Sequence, residues 1–229
     1  MRTLVVGIPL PHVSFDNYSF VAAPAFSEYG RMIIDTAVAS RTVEEVISGD
    51  AEHHNFGGAP VTNGPSTSQA FSLQQLLAMR RRESEWFLAR GGVLVCLAHP
   101  DVAHPGVEQS CGWRRYAWLP APLGFRYDER LLPGFGTPGA ELTEPDHPFA
   151  PYITEFSSRF AYRVTVDETT PNFSDYGRVF ARSHGGAAIA VELTVDDGRV
   201  ILLPPLLEPE TDRFLIAPLL HACLERCAR

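Results

Sequence analysis

Over residues 72–98 the chain passes without a linker from a helical pattern into a buried strand. Phe71, Leu73, Leu76, Leu77, Met79, Trp86, Phe87 and Leu88 recur with helical spacing, and Gly91-Gly92 supplies the left-handed stop that helix ends favour. Residues 93–98 follow as an all-apolar run, the signature of a strand covered on both faces. A helix feeding directly into such a strand is the building unit of a parallel sheet wrapped by helices, so this stretch places the chain in the α/β class. The flanking patterns agree. Residues 3–8 and 31–38 are further buried β runs, separated by a proline-containing loop at 10–29. Thr42 and Glu45 have the spacing of a capping box, which predicts a short helix ended by Gly49. Residues 179–182, 187–195 and 199–203 read as strands, with an Asp-Gly turn joining the last two as a hairpin. Residues 210–227 read as an amphipathic helix kinked at Pro218.

Between these patterns lie two stretches dense in Pro and Gly. Residues 49–68 form a long loop, and residues 100–151 an irregular insertion over one sheet edge, with a short strand expected at 115–119 and a short helix at 148–156. The expectation is one domain over residues 1–229: a mostly parallel central sheet flanked by helices, extended by a C-terminal β-hairpin and a Pro/Gly-rich insertion. A chain of 229 residues can build a sufficient core without staples.

Composition removes whole classes of function. All 19 basic residues are arginine, so mechanisms that need a lysine Schiff base, a lysine general base or a P-loop lysine are excluded. A net charge of −8 argues against a nucleic-acid partner, because phosphate binding is built on clustered cations. No apolar run approaches the ~20 residues of a membrane helix, and no secretory signal is read at the N-terminus, so the expected location is cytoplasmic and no membrane partner is expected. Four cysteines, Cys96, Cys111, Cys223 and Cys227, are too few and too irregular for a disulfide framework.

Three segments together resemble the class I glutamine amidotransferase-like fold, in the diverged branch that includes ThuA-like and β-galactosidase trimerisation-type domains. They are the acidic-ended strand Tyr29-Gly30-Arg31-Met32-Ile33-Ile34-Asp35, the helix end Phe87-Leu88-Ala89-Arg90-Gly91-Gly92 before Val93-Leu94-Val95-Cys96, and the hairpin from Ala188-Ile189-Ala190-Val191-Glu192 to Gly198-Arg199-Val200-Ile201-Leu202-Leu203-Pro204-Pro205. The resemblance implies a nucleophile elbow, Gly-x-Cys-x-Gly often followed by His, at a strained strand-to-helix turn. Here the segment reads Leu94-Val95-Cys96-Leu97-Ala98-His99: the cysteine and histidine stand in place, but Leu94 and Ala98 replace both glycines and Pro100 follows. His147 and His184 lack the His-x-Glu spacing of the family's partner residues.

Cys96 and His99 are therefore the candidate catalytic pair, against the reading that Cys96 is a core cysteine within an apolar strand, which its neighbours favour. Asp35, His53, His54, Asp101 and His104 are candidate ligand-binding residues. Asp35 ends a strand, where it would accept a ligand hydroxyl, orient a histidine or cap the next turn, and His99, Asp101 and His104 lie just past the carboxyl end of another. Without a compact ligand spacing, neither a metal nor another cofactor is expected. Trp113, Arg114, Arg115, Tyr116 and Trp118 form a partner-binding surface if exposed and an anchor for the insertion if buried. Arg80, Arg81 and Arg82 read as a solvated basic face.

With both elbow glycines replaced, the expected function is a non-catalytic amidotransferase-like binding or assembly module. Its partner would be a small-molecule ligand or a protein, met at the carboxyl rim of the sheet, and an aromatic-rich surface also suits a homo-oligomer. The alternative is a hydrolase or amidotransferase using Cys96 and His99, or a metal-assisted hydrolase using His99, Asp101 and His104.

Overall fold

The computed structural model describes residues 2–39, 41–42, 53–54, 60–61, 67–99, 114–122, 126–128, 139–160, 164–206 and 209–227. In chain order the strands are β1 (Thr3–Val6), β2 (Phe15–Tyr18), β3 (Arg31–Asp35), β4 (His53–His54), β5 (Pro60–Val61), β6 (Val93–Leu97), β7 (Tyr127–Asp128), β8 (Glu141–Leu142), β9 (Thr165–Val166), β10 (Gly177–Arg182), β11 (Ala188–Val195) and β12 (Gly198–Leu203). The helices are α1 (Thr67–Ala89), α2 (Ala150–Phe156), α3 (Phe173–Tyr176) and α4 (Pro209–Cys227).

β1, β3 and β6 are buried at every position, as apolar runs with no solvent side must be. They lie at the centre of an eight-stranded sheet of order β2-β1-β3-β6-β12-β11-β10-β8. The first five strands are mutually parallel, and β11, β10 and β8 continue antiparallel as the hairpin extension. The fold is α/β, and the parallel part runs in the order of a flavodoxin-like sheet, reversing direction between β1 and β3. α1 with Phe20, Phe26 and Trp118 covers one face of the sheet; α2 and α4 cover the other.

Local chemistry explains the joints. α1 ends in a Schellman motif: Gly91 adopts φ +78°, the Gly91 amide donates to Leu88 O at 2.9 Å, and the Gly92 amide donates to Phe87 O at 3.0 Å. Gly198 is the first residue of β12, and the left-handed turn position is Asp196, with φ +53°. A Cβ at Gly198 would come within 2.7 Å of Leu88 O, so this glycine serves the close approach of α1 to the hairpin rather than the turn.

Several expectations are corrected. Phe15–Tyr18 forms an edge strand where the pattern predicts a loop; Asp16 and Asn17 hide its β character, and side chains hold it, with Asp16 paired to Arg2 and Asn17 bonded both ways to the Leu10 backbone. Residues 115–119 form turns, not a strand. Helical conformation begins at Val38, ahead of Thr42, so Thr42 is not the N-cap; the rest of the expected 42–49 helix lies outside the described residues. Arg80 is not on a solvated face: it is 1% exposed and grips the 20–24 loop. Arg81 and Arg82 do face water. No helix among the described residues is long and apolar enough to cross a membrane.

Candidate functional site

At the carboxyl ends of β1, β3 and β6, the side chain of Asp35 joins His99 and Arg41, one at each carboxylate oxygen. His99 Nε2 lies 3.0 Å from Asp35 Oδ1, and Arg41 Nη2 lies 3.0 Å from Asp35 Oδ2. Arg41 Nη2 also donates to Gly7 O at 2.6 Å, so it bridges β1 and β3 across the point where the strand order reverses. Asp35 Oδ1 additionally accepts the Ala37 amide at 3.0 Å, which starts the following turn. Two of the roles open to Asp35 from sequence, orienting a histidine and capping a turn, are thus combined in one carboxylate.

Backbone and hydroxyl bonds fix this arrangement. Thr36 Oγ1 donates to Leu97 O at 2.9 Å and accepts the His99 amide at 3.0 Å, stitching the end of β3 to the end of β6. Tyr116 donates its hydroxyl proton to His99 O and lies 3.3 Å from Thr36 Oγ1. The His99 ring is therefore held from its backbone and through Nε2, while Nδ1 has no partner among the described residues and the side chain stays 31% exposed. In the neutral ring with Nε2–H donating to Asp35, it is Nδ1 that carries the lone pair.

A cleft of about 370 Å³ opens beside Arg41, lined by residues that include Gly7, Pro9, Tyr18, Ser19 and Val38. Gly7 takes φ +87°, and a Cβ there would sit 2.6 Å from Val38 Cβ, so the close approach of β1 and the helical turn after β3 requires glycine. Arg41 Nε and Nη1 carry no bond among the described residues, which leaves their N–H groups as donors at the cleft.

Burial opposes ionisation of Asp35, but the hydrogen bond and charge of His99, the Ala37 amide and Arg41 outweigh it, and the carboxyl is held below its ordinary value of 3.8. A depressed carboxyl stabilises the fold fully above its unfolded value and loses that contribution as pH falls through the lower folded value. Acid denaturation of wild type and Asp35→Asn should therefore differ most above pH 4 and converge at lower pH. A difference that grows on acidification would contradict this assignment.

The other candidates divide. Cys96 is 0% exposed between Ile34 and Leu202 of the neighbouring strands, and burial pushes its thiol far above the ordinary 9.0. It is a core cysteine, and the geometry offers no thiolate beside His99. Tyr116 and Trp118 are buried and correct the partner-surface reading: Trp118 packs edge-on against Phe20 and Phe26 with ring centroids at 6.0 and 6.5 Å, and its Nε1 donates to Arg115 O at 2.8 Å. The segment is an anchor beneath His99, with Arg114 left exposed and Arg115 half-buried. His53 and His54 form β4, paired antiparallel with β5. Asp101, His104 and Trp113 lie outside the described residues. His147 is buried, stacked on Phe180 at 3.7 Å and bonded to Glu192 at 3.1 Å, which makes it a brace of the hairpin extension. Among the described residues no group of three or more His, Cys, Asp or Glu could hold a metal ion.

Sequence reasoning missed Arg41. Its signal is spacing, since an arginine six residues beyond a strand-ending aspartate reaches back to it once the intervening turn is helical.

No family model and no curated protein matches this sequence. Solved structures with a related course include a proposed GMP synthase component of Thermoplasma acidophilum, at 9% identity and a TM-score of 0.44 over 100% of this chain and 96% of that one. A cytoplasmic protein of Salmonella typhimurium gives 10% identity and 0.44 over 96% and 98%. An exo-β-1,4-mannosidase of an Opitutaceae bacterium gives 12% and 0.40 over 92% of this chain and 28% of its own. Likenesses this distant say nothing of chemistry; the α/β class rests on the strand order itself.

Proposed function

We propose that the protein is a binding module for a small organic anion, a carboxylate or phosphate monoester with an apolar body, held at the β1/β3 switch point. The observation that carries this reading is Arg41 at the cleft, its Nη2 fixed by Asp35 and Gly7 while Nε and Nη1 carry no bond among the described residues. A guanidinium positioned in this way offers charged N–H donors to a planar or tetrahedral anion, and open α/β sheets bind ligands at this place. Tyr18 and Val38 would meet the apolar body. The hydrolase reading through Cys96 draws no support from a thiol at 0% exposure.

A panel of small carboxylates and phosphate monoesters, screened by thermal shift and followed by titration calorimetry, tests the reading. At least one compound is expected to raise the melting temperature, with a gain approaching ~2.7 kcal/mol at one hundred times its Kd. Arg41→Ala, with its fold checked by circular dichroism, should lower the affinity at least about tenfold, in keeping with ~1.5–3 kcal/mol for a hydrogen bond to a charged group. Stabilisation that survives in Arg41→Ala, or a panel with no binder, would overturn the proposal.

A further inference from the structure

α1 carries large apolar side chains on two opposite faces. Leu73, Phe87 and Leu88 are buried against the sheet, while Phe71, Met79 and Trp86 are 58%, 43% and 58% exposed. At about 100° per residue, Phe71, Gln75, Ala78, Met79, Arg82 and Trp86 share one outward sector about 100° wide, and all six are exposed. A surface helix is ordinarily polar on the side away from the core; one that is apolar there presents a contact face.

The order of residues along this stripe specifies what covers it. Phe71 and Trp86 are equidistant in sequence from the peptide bond between Ala78 and Met79, and so are Gln75 and Arg82. A second copy of the helix laid antiparallel about that point sets each Phe71 against a Trp86 and each Arg82 against a neutral Gln75, one turn from the opposing Phe71 ring. The small Ala78 lies at the crossing, where helix backbones come closest. Every contact then occurs twice, as a two-fold interface requires. A parallel pairing would oppose Arg82 to Arg82, so charge selects the antiparallel one. Arg81 and Glu85 are already paired within the helix, at 3.2 Å, and flank the stripe without opposing like charges.

We propose that this face of α1 is the interface of an antiparallel, two-fold symmetric homodimer. Aromatic residues and arginine dominate such contacts, and here two Phe–Trp pairs flank a small-residue crossing.

Sedimentation velocity of the full chain at physiological ionic strength should give twice the 25.2 kDa chain mass at micromolar concentration. Trp86→Glu should raise the dimer dissociation constant about thirtyfold or more, with an unchanged circular dichroism spectrum, because the side chain is exposed in the monomer. Ala78→Cys should cross-link to a dimer on mild oxidation, while Gln74→Cys, outside the sector, should behave like wild type. A monomer up to several hundred micromolar, a dimer indifferent to Trp86→Glu, or equal cross-linking through residues 74 and 78 would overturn the proposal. The first of these outcomes would mean that a different protein covers the face.

Discussion

Replacing Arg80 by alanine is expected to cost about 3–5 kcal/mol of stability, the usual result of removing one partner from a buried charged network. The side chain is 1% exposed, and its guanidinium donates to Phe20 O at 3.1 Å, Pro24 O at 3.3 Å, Val21 O at 3.2 Å and Ala23 O at 2.7 Å. Nη1 also pairs with Glu83 at 2.7 Å, and the guanidinium carbon lies 4.8 Å from the Phe26 ring centroid. Removal takes the donor from four loop carbonyls and leaves the Glu83 carboxylate without its cation. Lysine would not substitute well, since a single ammonium cannot span a fork of carbonyls. Total stabilities run to only about 5–15 kcal/mol, so urea denaturation should show the midpoint falling by a large fraction, with little relief from added salt. A loss below about 1 kcal/mol would mean that the loop finds its hydrogen bonds elsewhere.

Trp118→Ala is expected to cost a similar ~3–5 kcal/mol, through lost burial and the cavity left behind. The indole meets the same two rings that flank Arg80, Phe20 and Phe26. The two substitutions should therefore be non-additive, with an interaction energy of about 0.5–3 kcal/mol in a double-mutant cycle. Trp118 also seats the turn that carries Tyr116, whose hydroxyl holds His99 O. Any ligand measured at the Arg41 cleft should thus bind more weakly in Trp118→Ala even at temperatures where the variant remains folded. Additive stabilities would show that the two residues anchor separate walls.

α1 also marks where local pattern stops short. Arg80 sits within an arginine triplet, and a run of like charges ordinarily faces water. The correcting signal is present in the spacing: positions 73, 80, 84 and 87 fall on one helical face, and all four are buried. Phe71, Met79 and Trp86 go the other way, since apolar residues at helical spacing read as core while these three point outward. A helix pattern tells which residues share a face but not which face meets the sheet, and α1 has two apolar faces.

Near neighbours along the chain fix the α/β class, the three fully buried parallel strands, the Gly91-Gly92 stop and the final hairpin. Each follows from periodicity or from a backbone conformation that one residue type adopts cheaply. Asp35 and His99 were legible as candidate site residues because both stand at carboxyl ends of strands, where an open sheet places its ligands. It takes the folded chain to show that they touch, that Arg41 completes the pair from the β1 side, that Cys96 is sealed between strands and that Trp118 points inward. Those outcomes depend on strand order, and on which of two chemically permitted faces is turned inward. Both are fixed by contacts between segments far apart in the chain, such as Thr36 with Leu97 and Arg80 with Phe20, and local pattern carries no record of such contacts.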